Sequence, residues 1–388
     1  MTESAIAHTC LPDGAAAGQA LGAQIAQGLN GQSPDALILF ASPRYNYVDL
    51  LASLHMACRP RLLVGCSSSG EFSTTRNLDQ SACAVALRSS ELQFSAAIGR
   101  GLRTDRVRAA EELVRSFQGM ATHDTRFRTA LVLTDALAGY ADDLVDQLTL
   151  RTDGTYQFFG GGAGDDARFE HTHVFYGTEA VSDAVVALEI LSPKPLGIGV
   201  SHGWQPASAG MRVTEAEAMR VISFNATPAL EVLQEHAERT DQQLNEADPL
   251  PFFLHNVVGI DTGAGYKLRV PLAVVGNGAL SCAADVPTGV TACIMGTTSQ
   301  STAEAAASAA SAALEGLQGN RPLVAFMFDC AATRLRLGAA FGLELRALEH
   351  ALGSTPYIGC NTYGQIARAH GQFSGFHNCT AVVCLIPE

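Results

Sequence analysis

The sequence is almost devoid of lysine. Only Lys194 and Lys267 occur, and neither stands in the G-x-x-x-x-G-K-[ST] setting where backbone amides and an ammonium cradle phosphates. ATP-driven chemistry therefore has no support. Basic residues of both kinds number 25 against 38 acidic ones, a formal charge of −13, so a polyanion meets a repulsive field over most of the surface and nucleic acid is not expected as a partner. The start, Met-Thr-Glu, has no basic stretch leading into an apolar core, as a secretory signal requires. The most apolar helical candidate, Ala303 to Leu317, is interrupted by Glu304 and Glu315 and falls short of the ~20 apolar residues that span a bilayer. A cytoplasmic location without membrane insertion is expected. Ten cysteines are scattered with no C-x-x-C pair, which writes neither a zinc ribbon nor a thioredoxin motif; most are expected to be small buried residues in a reducing compartment.

What is present is a long, Gly-rich chain: 388 residues, 47% hydrophobic, with 37 glycines. Single cores rarely grow past ~250–300 residues, so two domains or one composite domain follow. Gln19 to Leu29 sets Ala20, Leu21, Ile25 and Leu29 at helical spacing, and residues 1–32 are expected to form an N-terminal helix. Then an apolar strand (Asp35 to Phe40), a helix (Val48 to Met56) and a second strand (Arg61 to Val64) run into Gly65-Cys-Ser-Ser-Ser-Gly-Glu71, followed by strand-like runs. The same order recurs around Gly160-Gly-Gly-Ala-Gly-Asp165 and around Gly359-Cys-Asn-Thr-Tyr-Gly-Gln365. The fold class expected is α/β: two related domains built from repeated strand, helix, strand, Gly-turn and antiparallel-strand units in mixed sheets. The polar stretch Glu238 to Asp248 marks the junction between the halves.

A glycine at a strand end lets the backbone turn sharply and approach a ligand, and open α/β sheets bind ligands at the carboxyl ends of their strands. Ser67, Ser68, Gly70 and Glu71 on the first turn, with Asn361, Tyr363 and Gln365 on the last, are therefore candidate ligand-binding residues. Ser67 and Ser68 would donate to a carboxylate or carbonyl, Glu71 would accept from an amine, and Tyr363 would stack or cap. Local capping of the following turn is the competing role for the serines. Cys330 and Asn378 are secondary candidates. Enzyme templates fit poorly: Ser69 stands where a nucleophile elbow needs its second Gly, and G-x-G-x-x-G is absent after the first strand. No catalytic residue is assigned. Cys330, between Asp329 and Arg334, is the exception to weigh: a neighbouring guanidinium favours a reactive thiolate, whereas a packed strand-end thiol does nothing. The metal question stays open. His171 and His173 lack a third ligand, and haem needs only one axial histidine in an apolar slot, for which His202, His255 and His377 are candidates.

Several segments together resemble the FIST family: Leu63 to Phe72, Gly197 to Pro206 with Met211 to Ala216 and Thr227 to Ala229, Phe328-Asp-Cys330, Ile358 to Ile366, and His377-Asn-Cys-Thr380. The resemblance implies a FIST N-terminal domain over 33–225 and a FIST C-terminal domain over 226–388. It implies a bacterial sensory protein that binds a small, possibly amino acid-like ligand and signals to a separate partner, a histidine kinase or a cyclic-di-nucleotide signalling enzyme. Two alternatives stay open: a haem-based nitric-oxide sensor regulating a histidine kinase, and a cysteine-dependent enzyme. The family commonly carries Glu where this chain has Gln365, which removes one negative charge from the site.

Overall fold

The protein is described by a computed structural model over residues 1–74, 76–122, 127–369 and 375–388. It is a mixed α/β fold. Three six-stranded sheets share one arrangement, each around a central parallel pair: Ala36–Ala41 with Leu62–Ser67, Phe127–Thr134 with Gln157–Gly162, and Pro322–Cys330 with Tyr357–Thr362. Beside the first strand of each pair lies an antiparallel strand, Ala82–Ser89, Ala184–Ser192 or Ala381–Pro387. Outside those lie Thr2–Thr9, Gln93–Arg100 and Gly197–Ser201.

Beside the second strand of each pair lies a hairpin from elsewhere in the chain. The hairpin after the first Gly turn (Glu71–Ser73, Arg76–Leu78) joins the third sheet. The one after the second turn (Val174–Tyr176, Glu179–Val181) joins the first sheet, and the one after the third (Gln365–Arg368, Gly375–His377) joins the second. Each Gly turn is thus the point where the chain leaves one sheet for its neighbour.

The continuous apolar strands follow from burial on both faces. Along successive residues the side chains alternate: Ile38 and Phe40, Leu131 and Leu133, Phe326 and Phe328 point into one core shared by all three sheets. Leu37 and Leu39, Ala130 and Val132, Ala325 and Met327 point outward, beneath helices. Three sheets meet where Phe40 contacts Phe328 edge-on, centroids 5.5 Å apart, and Phe159 packs on Phe326 at 5.8 Å. Helices Gly14–Gly28 and Tyr47–Cys58 cover the first sheet, Arg106–Arg115 and Ala141–Arg151 the second, Ser299–Gly316 and Phe341–Leu352 the third. Among the described residues no helix is long and apolar enough to cross a membrane.

Between Gly197–Ser201 and the Ser299–Gly316 helix the chain builds a fourth, antiparallel sheet, strands from Gln205 to Gly296, with its own core under the Ala229–Arg239 helix. It seats on the three-sheet body through Trp204, Val257, Leu268 and Met295 against Cys330 and Cys379.

Two local readings differ from the sequence expectation. Residues 1–32 contain a strand, Thr2–Thr9, before the Gly14–Gly28 helix. The strand pairs with Ala82–Ser89 along its whole length, and Ala5 and Ala7 on its buried side are too small to announce a pattern. The polar stretch Glu238 to Asp248 lies within the inserted unit, between the Ala229–Arg239 and Leu250–Phe253 helices.

Candidate functional site

The three Gly turns converge and bond to one another in a ring. Ser69 N donates to Asn361 O and Asn361 N to Gly70 O, both at 2.9 Å; Gly162 N donates to Gly364 O and Tyr363 N to Gly162 O, again at 2.9 Å; Gly164 N closes the ring on Ser67 O at 2.9 Å. Gly70 (φ +128°) and Gly364 (φ +91°) adopt backbone angles that side chains rarely tolerate. At Gly364 an added Cβ would also lie 2.0 Å from the Phe376 ring.

Most of the polar side chains expected to rim a pocket are sealed inside this ring. Ser67, Ser68, Glu71, Asn361 and Gln365 have no exposed surface, and they satisfy one another or nearby backbone as buried polar groups must. Ser68 Oγ donates to Glu71 Oε1 at 2.5 Å, while Ser81 N and Oγ donate to Glu71 Oε2 at 3.0 and 2.8 Å. Burial still pushes the Glu71 carboxyl up to about 7, against the opposing pull of those serine hydrogen bonds. Ser67 Oγ accepts from His173 N at 2.9 Å. Asn361 Oδ1 accepts from Arg334 Nη1 at 3.0 Å. Gln365 orients its amide nitrogen to Thr380 O (3.1 Å) and its oxygen to Thr362 Oγ1 (3.0 Å) and Cys330 N (3.2 Å). None of these five lines either of the two cavities described below.

Cys330, Tyr363 and Asn378 do. With Thr362 and Gly364 they form one wall of a cavity of about 230 Å³ between the turn ring and the inserted sheet. The opposite wall is Val270, Leu272, Cys282 and Ala283 of the inserted unit with Leu250 and Leu254, and Leu137, Tyr140 and Phe169 close the side. The lining is predominantly apolar with a few convergent polar groups, the usual composition of a small-molecule site. Asn378 is 2% exposed, and among the described residues its Oδ1 has no hydrogen-bond partner. An orphaned buried carbonyl costs about 1–3 kcal/mol.

Cys330 ends its strand and stands at the N-cap position of the Ala331–Leu337 helix, without a side-chain capping bond. Its sulfur accepts from Cys379, through side chain and backbone, and from Ala332 N–H; the Cys379 side-chain bond contributes most, and the Cys330 thiol falls to about 6 despite its burial. The proton stays on Cys379, whose thiol is held well above its ordinary range by that same bond and by burial. Behind Cys330, burial also raises the carboxyls of Asp329 and Glu344 well above normal.

Sequence reasoning missed the residue that shapes the cavity's side. Asp165, last of the second Gly motif, accepts from the backbone N–H groups of Phe169 (2.9 Å), Glu170 (2.7 Å) and His171 (2.9 Å), and from the Tyr363 hydroxyl. That carboxylate holds a loop in which Asp166, Ala167 and Phe169 all have positive φ, a concentration of strain typical of functional loops. Phe169 is thereby stacked on Tyr363, rings 4.5 Å apart and 10° from parallel. An aspartate straight after a Gly-rich strand end was the available signal.

A second hollow, about 590 Å³ and polar, opens on the other side of the Ala331–Leu337 helix, past Arg334, Asp79, Asp166 and Arg168. Arg334 is committed there to structure: it donates to Asn77 (3.1 Å), Asn361 (3.0 Å) and Asp79, and lies over the Phe341 ring.

Of the candidate haem ligands, His202 has both ring nitrogens engaged, Nε2 with Tyr266 O at 2.9 Å and Nδ1 with Trp204 N at 3.3 Å. His255 is exposed in the turn after the Leu250–Phe253 helix. His377 is buried, and its imidazole is pushed down to about 3 by burial and by Lys267, Arg269 and His202. None of the three lines either cavity. Among the described residues no cluster of three or more His, Cys, Asp or Glu is placed to hold a metal ion.

Two family models match the chain, the FIST N domain over residues 35–227 and the FIST C domain over 229–368. No curated protein matches it. Among solved structures the chain is similar to cyanuric acid hydrolase from A. caulinodans at 8% identity, covering 99% of both chains, with a TM-score of 0.33. It is also similar to PurLQS from Thermotoga maritima at 11% identity, covering 99% of this chain and 72% of that one, with a TM-score of 0.23. At such scores neither likeness bears on fold or function.

Proposed function

We propose, for a chain that belongs to the FIST family and carries both its N and C domains, a sensory role in which a small ligand fills the cavity between the Gly-turn ring and the inserted sheet. FIST domains are associated with signal transduction and small-ligand sensing. The single observation that carries the reading to this place is Asn378: a buried amide oxygen without a partner among the described residues, on the wall of an apolar cavity.

The ligand is then a compact, mainly apolar molecule with an N–H or O–H group for Asn378. No Lys or Arg lines the cavity among the described residues. A free carboxylate would lose its hydration there without compensation, which favours an amide or alcohol over a free amino acid. Haem is no part of the proposal, because no candidate histidine faces the cavity and about 230 Å³ is below the roughly 300–1,000 Å³ of larger ligand sites. Because the cavity walls belong to two packed units, occupancy would alter how the inserted sheet sits on the body. That change is what a separate cytoplasmic partner, a histidine kinase or a cyclic-di-nucleotide enzyme, would read.

The test is ligand-induced thermal stabilisation across a panel of small amides and alcohols. Asn378→Leu removes the acceptor, and the affinity of any stabilising compound should fall about tenfold, the worth of one buried hydrogen bond. Stabilisation that is indifferent to Asn378→Leu would move the ligand elsewhere.

A further inference from the structure

The cavity wall carries a nucleophile as well as an acceptor. Cys330 lines the cavity, and its sulfur accepts from the Cys379 thiol and from the N–H of Ala332, which lines the cavity beside it. Asn378, on the same wall, has a buried oxygen with no partner among the described residues. A ligand that meets both groups needs a hydrogen-bond donor at one end and an electrophilic carbon at the other, within an apolar frame.

We propose that Cys330 captures α,β-unsaturated carbonyl compounds bearing an N–H or O–H group, forming a reversible thioether inside this cavity. The inference rests on the reading of the cavity as the ligand site. A sulfur lone pair forms the S–C bond to the β-carbon, the C=C π pair moves toward the carbonyl as an enolate, and the α-carbon takes one proton from water. The proton that Cys330 gave to solvent is thereby balanced. The net change is addition of S and H across the double bond; nothing is oxidised, reduced or expelled, and loss of the α-proton reverses it.

The thiol's low pKa, near 6, supplies the thiolate at neutral pH. The charged and titratable groups around it are Asp329 on its own strand, Arg334 and Arg336 on the following helix, Glu344 on the Phe341–Leu352 helix, and Cys379 opposite. At pH 6 its thiolate fraction exceeds that of an ordinary exposed thiol, and the lower basicity gives back only part of that gain.

The probes are maleimide, which carries both N–H and the electrophilic alkene, N-methylmaleimide, which lacks the N–H, and succinimide, the unreactive saturated analogue. Labelling of the full chain at pH 6 is followed by intact mass and peptide mapping, with exposed Cys10 as internal reference. Expected is a stoichiometric Cys330 adduct with maleimide at pH 6. It should be slower with N-methylmaleimide, suppressed by excess succinimide and by the cavity-filling Ala283→Trp, and absent in Cys330→Ser, with Cys10 unaffected throughout. Labelling confined to Cys10 overturns the proposal, as does Cys330 labelling that neither succinimide nor Ala283→Trp slows, since that reports local opening. The parent reading fails by a different sign: compounds that stabilise the protein would stabilise Ala283→Trp equally.

Discussion

Arg269, in the inserted unit, donates through Nη2 to Asp142 Oδ2 across 2.6 Å, and Asp142 stands in the first turn of the helix that covers the second sheet. Lys267 reaches the other oxygen of the same carboxylate. The Arg269 side chain is only 2% exposed and that of Asp142 16%, so the pair is a desolvated clamp between the inserted sheet and the body, at the edge of the cavity.

Removing one partner leaves a buried charge uncompensated, which costs about 3–5 kcal/mol. Asp142→Ala should therefore lower stability by about that much in urea unfolding, and should raise amide exchange in the Tyr266–Arg269 strand. Its neighbour Asp143, paired with Arg106 and 40% exposed, should cost within about 1 kcal/mol. Equal effects at the two positions would deny the clamp.

Glu71 makes stability pH-dependent with a definite sign. Its folded pKa, about 7, lies above the ordinary 4.5 because of burial, so between these values the folded state holds a proton that the unfolded state has lost. Stability from this group is fully present below about pH 4.5 and falls as pH rises toward 7, by about 3 kcal/mol in all. Glu71→Gln mimics the protonated acid: its amide can donate to Ser68 while its oxygen accepts from Ser81. The variant should fold and show a flatter stability profile from pH 4.5 to 7, measured by denaturant titration at each pH.

Asp165 holds the strained loop by three backbone donors and Tyr363. Asp165→Ala should free Phe169 from Tyr363 and weaken ligand binding more than Tyr363→Phe, which breaks one bond, worth about 1–2 kcal/mol, and keeps the ring. Ligand titration of both variants, with near-ultraviolet circular dichroism as a readout of the aromatic stack, checks the order.

Gly364→Ala combines a forbidden backbone angle with a Cβ that would intrude on Phe376. A loss of several kcal/mol is expected, whereas Gly319→Ala, also at positive φ but with nothing within 4 Å, should cost only the local strain, about 1–2 kcal/mol. Thermal unfolding of the pair separates packing from backbone strain.

Strands and helices buried on regular faces were legible because their apolar periodicity is local: Ala36–Ala41, Tyr47–Cys58 and Leu62–Ser67 stand where the pattern puts them. The partner of a strand is not local. Glu71–Ser73 pairs with Tyr357–Thr362, and nothing in residues 71–73 names a strand so distant in the sequence. The site divides along the same line. The Gly motifs bring polar side chains together at strand ends, but a hydroxyl or carboxyl does not state who satisfies it. For Ser68 and Glu71 it is each other; for Asn378 Oδ1 no partner stands among the described residues. The cavity's far wall, Val270 to Ala283, comes from an insertion whose docking no spacing reveals.

The most direct measurement is native mass spectrometry of freshly purified wild-type protein beside Ala283→Trp, whose indole would fill the cavity from the inserted-sheet side. The account predicts a small molecule retained by the wild type, or accepted from an amide and alcohol panel, and missing from the variant at equal folded yield. A molecule held equally by both proteins would contradict it.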